Sequence, residues 1–102
     1  MLIYISHAYS AKEENKIEVE QIVRQLLKDH PQHTFISPIH TFGYLYKDVE
    51  YAIGLQMCLD LLVVCDYMIV YGDWENSKGC KQEIEYAEDN QIPYEIASQD
   101  MG

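Results

Sequence analysis

The chain has 102 residues, enough for one core of two or three layers, and the length predicts a single domain over 1–102. Hydrophobic residues make up 48% and charged residues 24%, the balance of a soluble globule and not of a disordered segment. Seven Lys and Arg against seventeen Asp and Glu give a formal net charge of −10, which repels nucleic-acid backbones and anionic membranes and argues against either as a partner. The same acidity serves solubility, and it leaves room for a small anionic ligand, since the field in a pocket differs from the global one. The cysteines are Cys58, Cys65 and Cys80. Their odd number, and the lack of any CxxC or Cys/His ligand spacing, argue against a metal site and for reduced thiols in a cytoplasmic protein. Met1 to Ile5 is a short apolar run without a basic leader, neither a signal peptide nor long enough to span a bilayer.

In chain order, Leu2 to Ser6 reads as a first, central strand, followed by a polar loop, Ser6-His7-Ala8-Tyr9-Ser10. A helix follows over about 11–29. Ile17, Val19, Ile22, Val23, Leu26 and Leu27 form its apolar side, and Ser10 with Glu13 reads as a capping box. His33 to Ile36 is a short second strand ended by Ser37-Pro38, and Ile39 to Tyr46 reads as a long aromatic loop of the functional kind or as a cap on the core. A second helix over about 47–63 is apolar nearly all round, which predicts burial on two sides, one of them against another subunit. Tyr67 to Tyr71 is a third strand. Ser77 to Asn90 is a third helix with Ser77 or Asn76 as its N-cap, and Pro93 to Ile96 is a fourth strand. No pattern is visible from Ala97 to Gly102. The order β-α-β-α-β-α-β predicts an α/β fold with a parallel sheet of strand order 2-1-3-4 and helices on both faces.

The stretch from Cys65 to Ala87 carries most of the chemistry, because a strand hands over to a helix there, where open α/β sheets place ligands. On a wheel of roughly 100° per residue, Cys80, Ile84 and Ala87 centre the apolar side and Glu83 lies roughly 60° off it. A carboxylate at a buried edge is costly unless paired or used. Glu83 is therefore a candidate working group, or a Glu that snorkels out or pairs with a tyrosine, whereas Glu85 reads as a solvent carboxylate. Asp66 either caps the preceding turn or supplies a second carboxylate near the carboxyl end of the first strand. Two carboxylates in different environments are the usual equipment for cleavage at an anomeric carbon. Ser77, Lys78 and Gly79 open a helix, so they serve as a plain cap or as an anion cradle. His7 and His40 lie in loops that reach the carboxyl edge of the sheet, where either contacts a ligand or neither does anything special. No Ser-His-Asp spacing is present.

Ile3-Tyr4-Ile5-Ser6, the Tyr9-Ser10 loop, Ser37-Pro38, Cys65-Asp66, Gly72-Asp73-Trp74 and Ser77-x-Gly79-x-x-x-Glu83-x-x-x-Ala87 together resemble the nucleoside 2-deoxyribosyltransferase-like superfamily. Within it they are most similar to small proteins of the DUF4406 and DUF1937 kind. The resemblance implies a three-layer, flavodoxin-like (Rossmann-like) parallel sheet of four or five strands. It implies an enzyme that cleaves the N-glycosidic bond of a 2-deoxynucleoside or its 5′-monophosphate, or transfers the deoxyribosyl group, with no cofactor and no metal. Glu83 would attack C1′, Asp66 would orient the sugar or move protons, and Tyr4 would support the nucleophile. Ser77, Lys78 and Gly79 would bind the 5′-phosphate, with Ser6, His7, Tyr9, His40 and Trp74 as further substrate contacts. The enzyme reading requires Glu83, Asp66 and Tyr4 to share one cleft. The resemblance further implies a homodimer or homotetramer with a neighbouring chain at the site. The C-terminal part is shortened relative to that superfamily, with Ser98 the candidate for a phosphate contact there. The alternatives are a domain that binds or senses a nucleotide derivative without turnover, and an interaction domain that uses the second helix and the Phe42 to Tyr46 loop.

Overall fold

Four short strands run parallel in the order β2-β1-β3-β4 in the computed structural model, which describes residues 1–97. They are β1 (Leu2–Ser6), β2 (Thr34–Ile36), β3 (Tyr67–Val70) and β4 (Tyr94–Ile96). The helices are α1 (Glu13–Asp29), α2 (Pro38–Phe42), α3 (Tyr51–Leu62) and α4 (Lys78–Asp89). The α/β class and the strand order are those the sequence predicts, with β1 inside. The described residues hold four strands, and Ser98 lies outside them. Among the described residues no helix is long and apolar enough to cross a membrane.

Side chains alternate along a strand, so β1 feeds two cores. Ile3 and Ile5 pack with Val19 of α1, Ile39 of α2 and Ile69 of β3 on one face. Tyr4 packs with Leu62 of α3, Ala87 of α4, and Met68 and Val70 of β3 on the other. The register pairs Tyr4 with Met68 and Ser6 with Val70, which sends Tyr4 and Ser6 toward α3 and α4. Ser6 ends β1, so it lies at the carboxyl edge of the sheet.

Several local readings need correction. Ser10 does not cap α1: Ser10 and Ala11 both have left-handed φ values, 50° and 57°, and Lys12 is the N-cap without a side-chain bond. Two left-handed residues turn the chain before the helix starts, so the Ser10 hydroxyl never meets the first free amides. Ile17 and Leu27 of the predicted apolar side stay exposed, and Val19 is the buried residue of α1. Residues 39–46 are not a loop. Ser37 caps α2 by accepting from His40 N at 3.3 Å, Pro38 stands at the first helical position, and a 3-10 turn over Gly43–Leu45 continues the segment. Proline with a serine N-cap is a helix-start pair, and here it outweighs the aromatic loop-like composition. The second long helix begins at Tyr51, after a turn.

Candidate functional site

The site is assembled by α4 docking against the carboxyl end of β1. Ser77 fixes where α4 begins, its Oγ accepting from Cys80 N at 3.2 Å. From that start, helical spacing places Cys80, Glu83 and Ala87 on the buried side, while Glu85 is exposed. Glu83 is 6% exposed. Ser6 Oγ donates to Glu83 Oε1 at 2.6 Å, and Tyr4 Oη donates to Glu83 Oε2. Ser6 Oγ also lies 3.4 Å from Cys80 Sγ. Pairing with a tyrosine, the plainer of the sequence-based alternatives for Glu83, is thus what the fold contains, together with a second hydroxyl from the same strand.

Burial dominates the electrostatics. It holds the Glu83 carboxyl above its ordinary range, and the hydroxyls of Ser6 and Tyr4 offset part of that effect. Among the described residues no Lys, Arg or His pairs with Glu83. Burial, then the nearby carboxylate, raises the Tyr4 phenol well above its usual value, so Tyr4 is a proton donor at neutral pH. Tyr51 and Cys58 on α3, and Cys80 on α4, feel the same carboxylate, and burial is the largest cause of the upward shift in each.

Glu83 opens onto a cleft of about 800 Å³. His7, Tyr9 and Lys12 line it from the segment after β1; Pro38, Phe42 and Gly43 from the segment after β2; and Asp73, Ser77, Lys78 and Gly79 from the segment after β3. Those segments all leave the carboxyl edge of the sheet, the usual ligand position of an open α/β sheet. Glu50, Tyr51 and Cys58 close the far side. Tyr9 and Tyr46 meet edge to face, with ring centroids 5.2 Å apart. Lys78 Nζ lies 5.4 Å above the Tyr51 ring, and Tyr51 Oη donates to Gln82 Oε1 at 2.8 Å. His7 lines the cleft with both ring nitrogens engaged, Nδ1 at 2.7 Å from the Ala8 carbonyl and Nε2 at 2.7 Å from Glu18 Oε2.

Of the residues singled out from the sequence, Tyr4, Ser6, His7, Tyr9, Ser77, Lys78, Gly79 and Glu83 meet at this place. Tyr4 and Ser6 lie behind Glu83 and hold it. Asp66 is elsewhere. It precedes β3, and in a parallel sheet that is the amino end, opposite the cleft. There Asp66 is exposed, its Oδ2 accepting from Leu2 N at 2.7 Å and its own N–H donating to Leu2 O at 2.8 Å. The three-residue cleft of Glu83, Asp66 and Tyr4 therefore does not exist; only Glu83 and Tyr4 come together. His40 is drawn off by Ser37 Oγ at 2.9 Å and Glu20 Oε2 at 2.9 Å. Trp74 packs against the core cluster around Leu62 and Met68 instead of lining the cleft. Sequence reasoning missed Asp73, Glu50, Tyr51 and Cys58 as lining residues. An all-round apolar α3 offers no periodic signal for which side faces a cleft.

Residues 1–97 match the family described as DUF7768, a domain of unknown function. A search of curated proteins gives no match. Among solved structures the fold is similar to a 2-deoxyribosyltransferase from Bacillus psychrosaccharolyticus, with a TM-score of 0.68 and 20% identity over 94% of this chain and 71% of that one. It is also similar to a 2-desoxiribosyltransferase from Leishmania mexicana, with a TM-score of 0.68 and 20% identity over 97% of this chain and 65% of that one. At that identity the likeness is one of fold.

Proposed function

The chain belongs to the DUF7768 family, a domain of unknown function that brings no activity with it, and we propose one from the site: cleavage of an N-glycosidic bond, or deoxyribosyl transfer, on a 2-deoxynucleoside or its 5′-monophosphate, with Glu83 as nucleophile. The observation that carries this reading is the buried Glu83 carboxylate, with one hydroxyl on each oxygen, facing a nucleoside-sized cleft at the carboxyl edge of the sheet. The similarity in fold to two deoxyribosyltransferases supports it. The kinship with the DUF4406 and DUF1937 kind rests on the Trp74-to-Ala87 signature alone.

The chemistry follows from electrostatics. A carboxylate that is desolvated and has no cationic partner is poised to meet positive charge developing at C1′, and two fixed hydroxyls keep its oxygens aimed. The Glu83 oxygen forms a bond to C1′ as the C1′–N bond breaks, and the base leaves with the electron pair. Water or a second base then takes the sugar and frees the carboxylate. Asp66 has no part in this scheme, so the proton for the leaving base comes from water or from a carboxyl lining the cleft, Asp73 or Glu50. Ser77, Lys78 and Gly79 at the start of α4 are the groups assigned to a phosphate. The exposed apolar side chains around α3, Ile53, Val63 and Val64, support a homodimer or homotetramer.

Asp66, which the enzyme reading required in one cleft with Glu83 and Tyr4, stands at the opposite end of the sheet, and that favours a second reading, binding of a nucleotide derivative without turnover. One experiment separates the two. Deoxynucleosides and their monophosphates are incubated with wild type and Glu83→Ala, and free base is measured by chromatography. Base release by the wild type alone supports catalysis, and equal release by both ends it. A saturable thermal shift without release supports the binder.

A further inference from the structure

Behind Ser6, one of the two hydroxyls that hold Glu83, stands a thiol. A hydroxyl has one hydrogen to give. Ser6 gives its hydrogen to Glu83 Oε1 at 2.6 Å, so at the 3.4 Å contact between Ser6 Oγ and Cys80 Sγ the thiol is left as the donor. Tyr4 gives its hydrogen to Glu83 Oε2. Cys80 is 2% exposed, and its backbone is tied to the Ser77 cap, so its sulfur is held in place. Burial raises the Cys80 pKa and keeps this thiol protonated. Its sulfur is therefore an S–H donor at neutral pH and no competing anion.

We propose that Cys80 is a positioning residue for Glu83, its S–H group orienting the Ser6 hydroxyl so that the hydroxyl hydrogen points at the carboxylate. Without the thiol, a hydroxyl is free to rotate and its bond to Glu83 weakens. The contact of Cys80 with Ser6 is a direct one beside the carboxylate. The importance of the arrangement rests on the reading of Glu83 as the working group, although the arrangement itself does not.

The test is a titration that needs no substrate. The full chain is labelled with carboxyl-¹³C glutamate, and the Glu83 resonance is followed against pH in wild type, Cys80→Ala and Cys80→Ser. The titratable groups facing Glu83 are Tyr4 on β1, Tyr51 and Cys58 on α3, and Cys80 on α4, and apart from the substituted cysteine all stay constant across the series. Cys80→Ala moves the Glu83 midpoint up by about half a pH unit, the size of part of one hydrogen bond. Cys80→Ser, which restores a donor, returns it toward wild type. A midpoint unchanged in Cys80→Ala, or one that Cys80→Ser fails to restore, overturns the proposal. If Cys80→Ala does not fold, Cys80→Val, close in volume and without a donor, makes the same comparison. Base release is measured separately. A shifted midpoint in a protein that releases no base supports the positioning role and counts against the glycosidase reading alone.

Discussion

Ser6 and Glu83 stand 77 positions apart in the chain and 2.6 Å apart in the fold. Two independent local decisions produce that contact. Parallel pairing on both sides of β1 fixes which face Ser6 points to, and the Ser77 cap fixes which turn of α4 carries Glu83. A one-residue slip in either would turn one of the two side chains away.

The first prediction concerns pH. The folded-state pKa of Glu83 lies above its ordinary value of 4.5, chiefly through burial. The native state therefore holds this proton more tightly than the unfolded chain. The resulting stability is fully present below 4.5 and is lost as pH rises through the native value, at about 1.4 kcal/mol per unit of difference. Glu83→Gln has no such loss. In denaturant unfolding at about pH 4 and about pH 7, the variant gains on the wild type at the higher pH. A gap that is constant between the two conditions would show that the carboxyl is not raised.

The second prediction follows from the place of Asp66. Its carboxylate is exposed at the amino end of the sheet, bonded to Leu2 N at 2.7 Å. Asp66→Ala loses that bond, at a cost of about 1 kcal/mol or less. Its base-release rate stays within about twofold of wild type, whereas removal of a group acting in proton transfer typically costs 10²-fold or more. Parallel measurement of unfolding and of base release checks both, and a large loss of rate with intact stability would return Asp66 to the mechanism.

How much was legible in the sequence differs between these residues for physical reasons. The 3.6-residue period exposed Glu83, because burial in a helix is written in spacing. Strand alternation places Tyr4 and Ser6 on one face, a signal the sequence reading did not use; Ser6 read as a ligand contact, since only the docking of α4 shows that the carboxylate stands between Ser6 and the cleft. The misplacement of Asp66 was avoidable. A residue that precedes a parallel strand lies at the amino end of the sheet, and the sequence order alone contained that signal. His40 and Trp74 failed differently: both come from segments near the cleft, and contacts with Glu20 and with the Leu62–Met68 core drew them away, which no local pattern reports. Cys58 and Tyr51 were hidden because an apolar helix has no marked face.

The third prediction uses the left-handed turn that enters α1. Ser10 and Ala11 have φ values of 50° and 57°, which cost an L-residue with a Cβ roughly 1 kcal/mol each. Ala11 is exposed, so Ala11→Gly removes that strain without opening a cavity. Its gain is reduced by the greater freedom of glycine in the unfolded chain. The net expectation is a stabilisation of about 0.5 kcal/mol, seen as a higher denaturant midpoint with unchanged slope. A destabilised variant would argue against the left-handed conformation.

The last prediction concerns Gly72, which lies against His7 of the cleft lining. Gly72 has φ +74°, and a Cβ there would lie 2.8 Å from His7 Nε2 and 3.0 Å from His7 Cε1. The His7 ring cannot yield easily, since its nitrogens are engaged by the Ala8 carbonyl and by Glu18. Gly72→Ala therefore combines an unfavourable backbone conformation with a clash, for a loss of about 1–3 kcal/mol. The relief open to the chain is movement of His7 off Glu18 into the cleft that both His7 and Glu83 line. A double variant tests that coupling. If the clash with His7 is the larger part, His7→Ala in the Gly72→Ala background recovers much of the lost stability, and the two substitutions are strongly non-additive. Additive losses in unfolding experiments would assign the whole effect to the backbone instead.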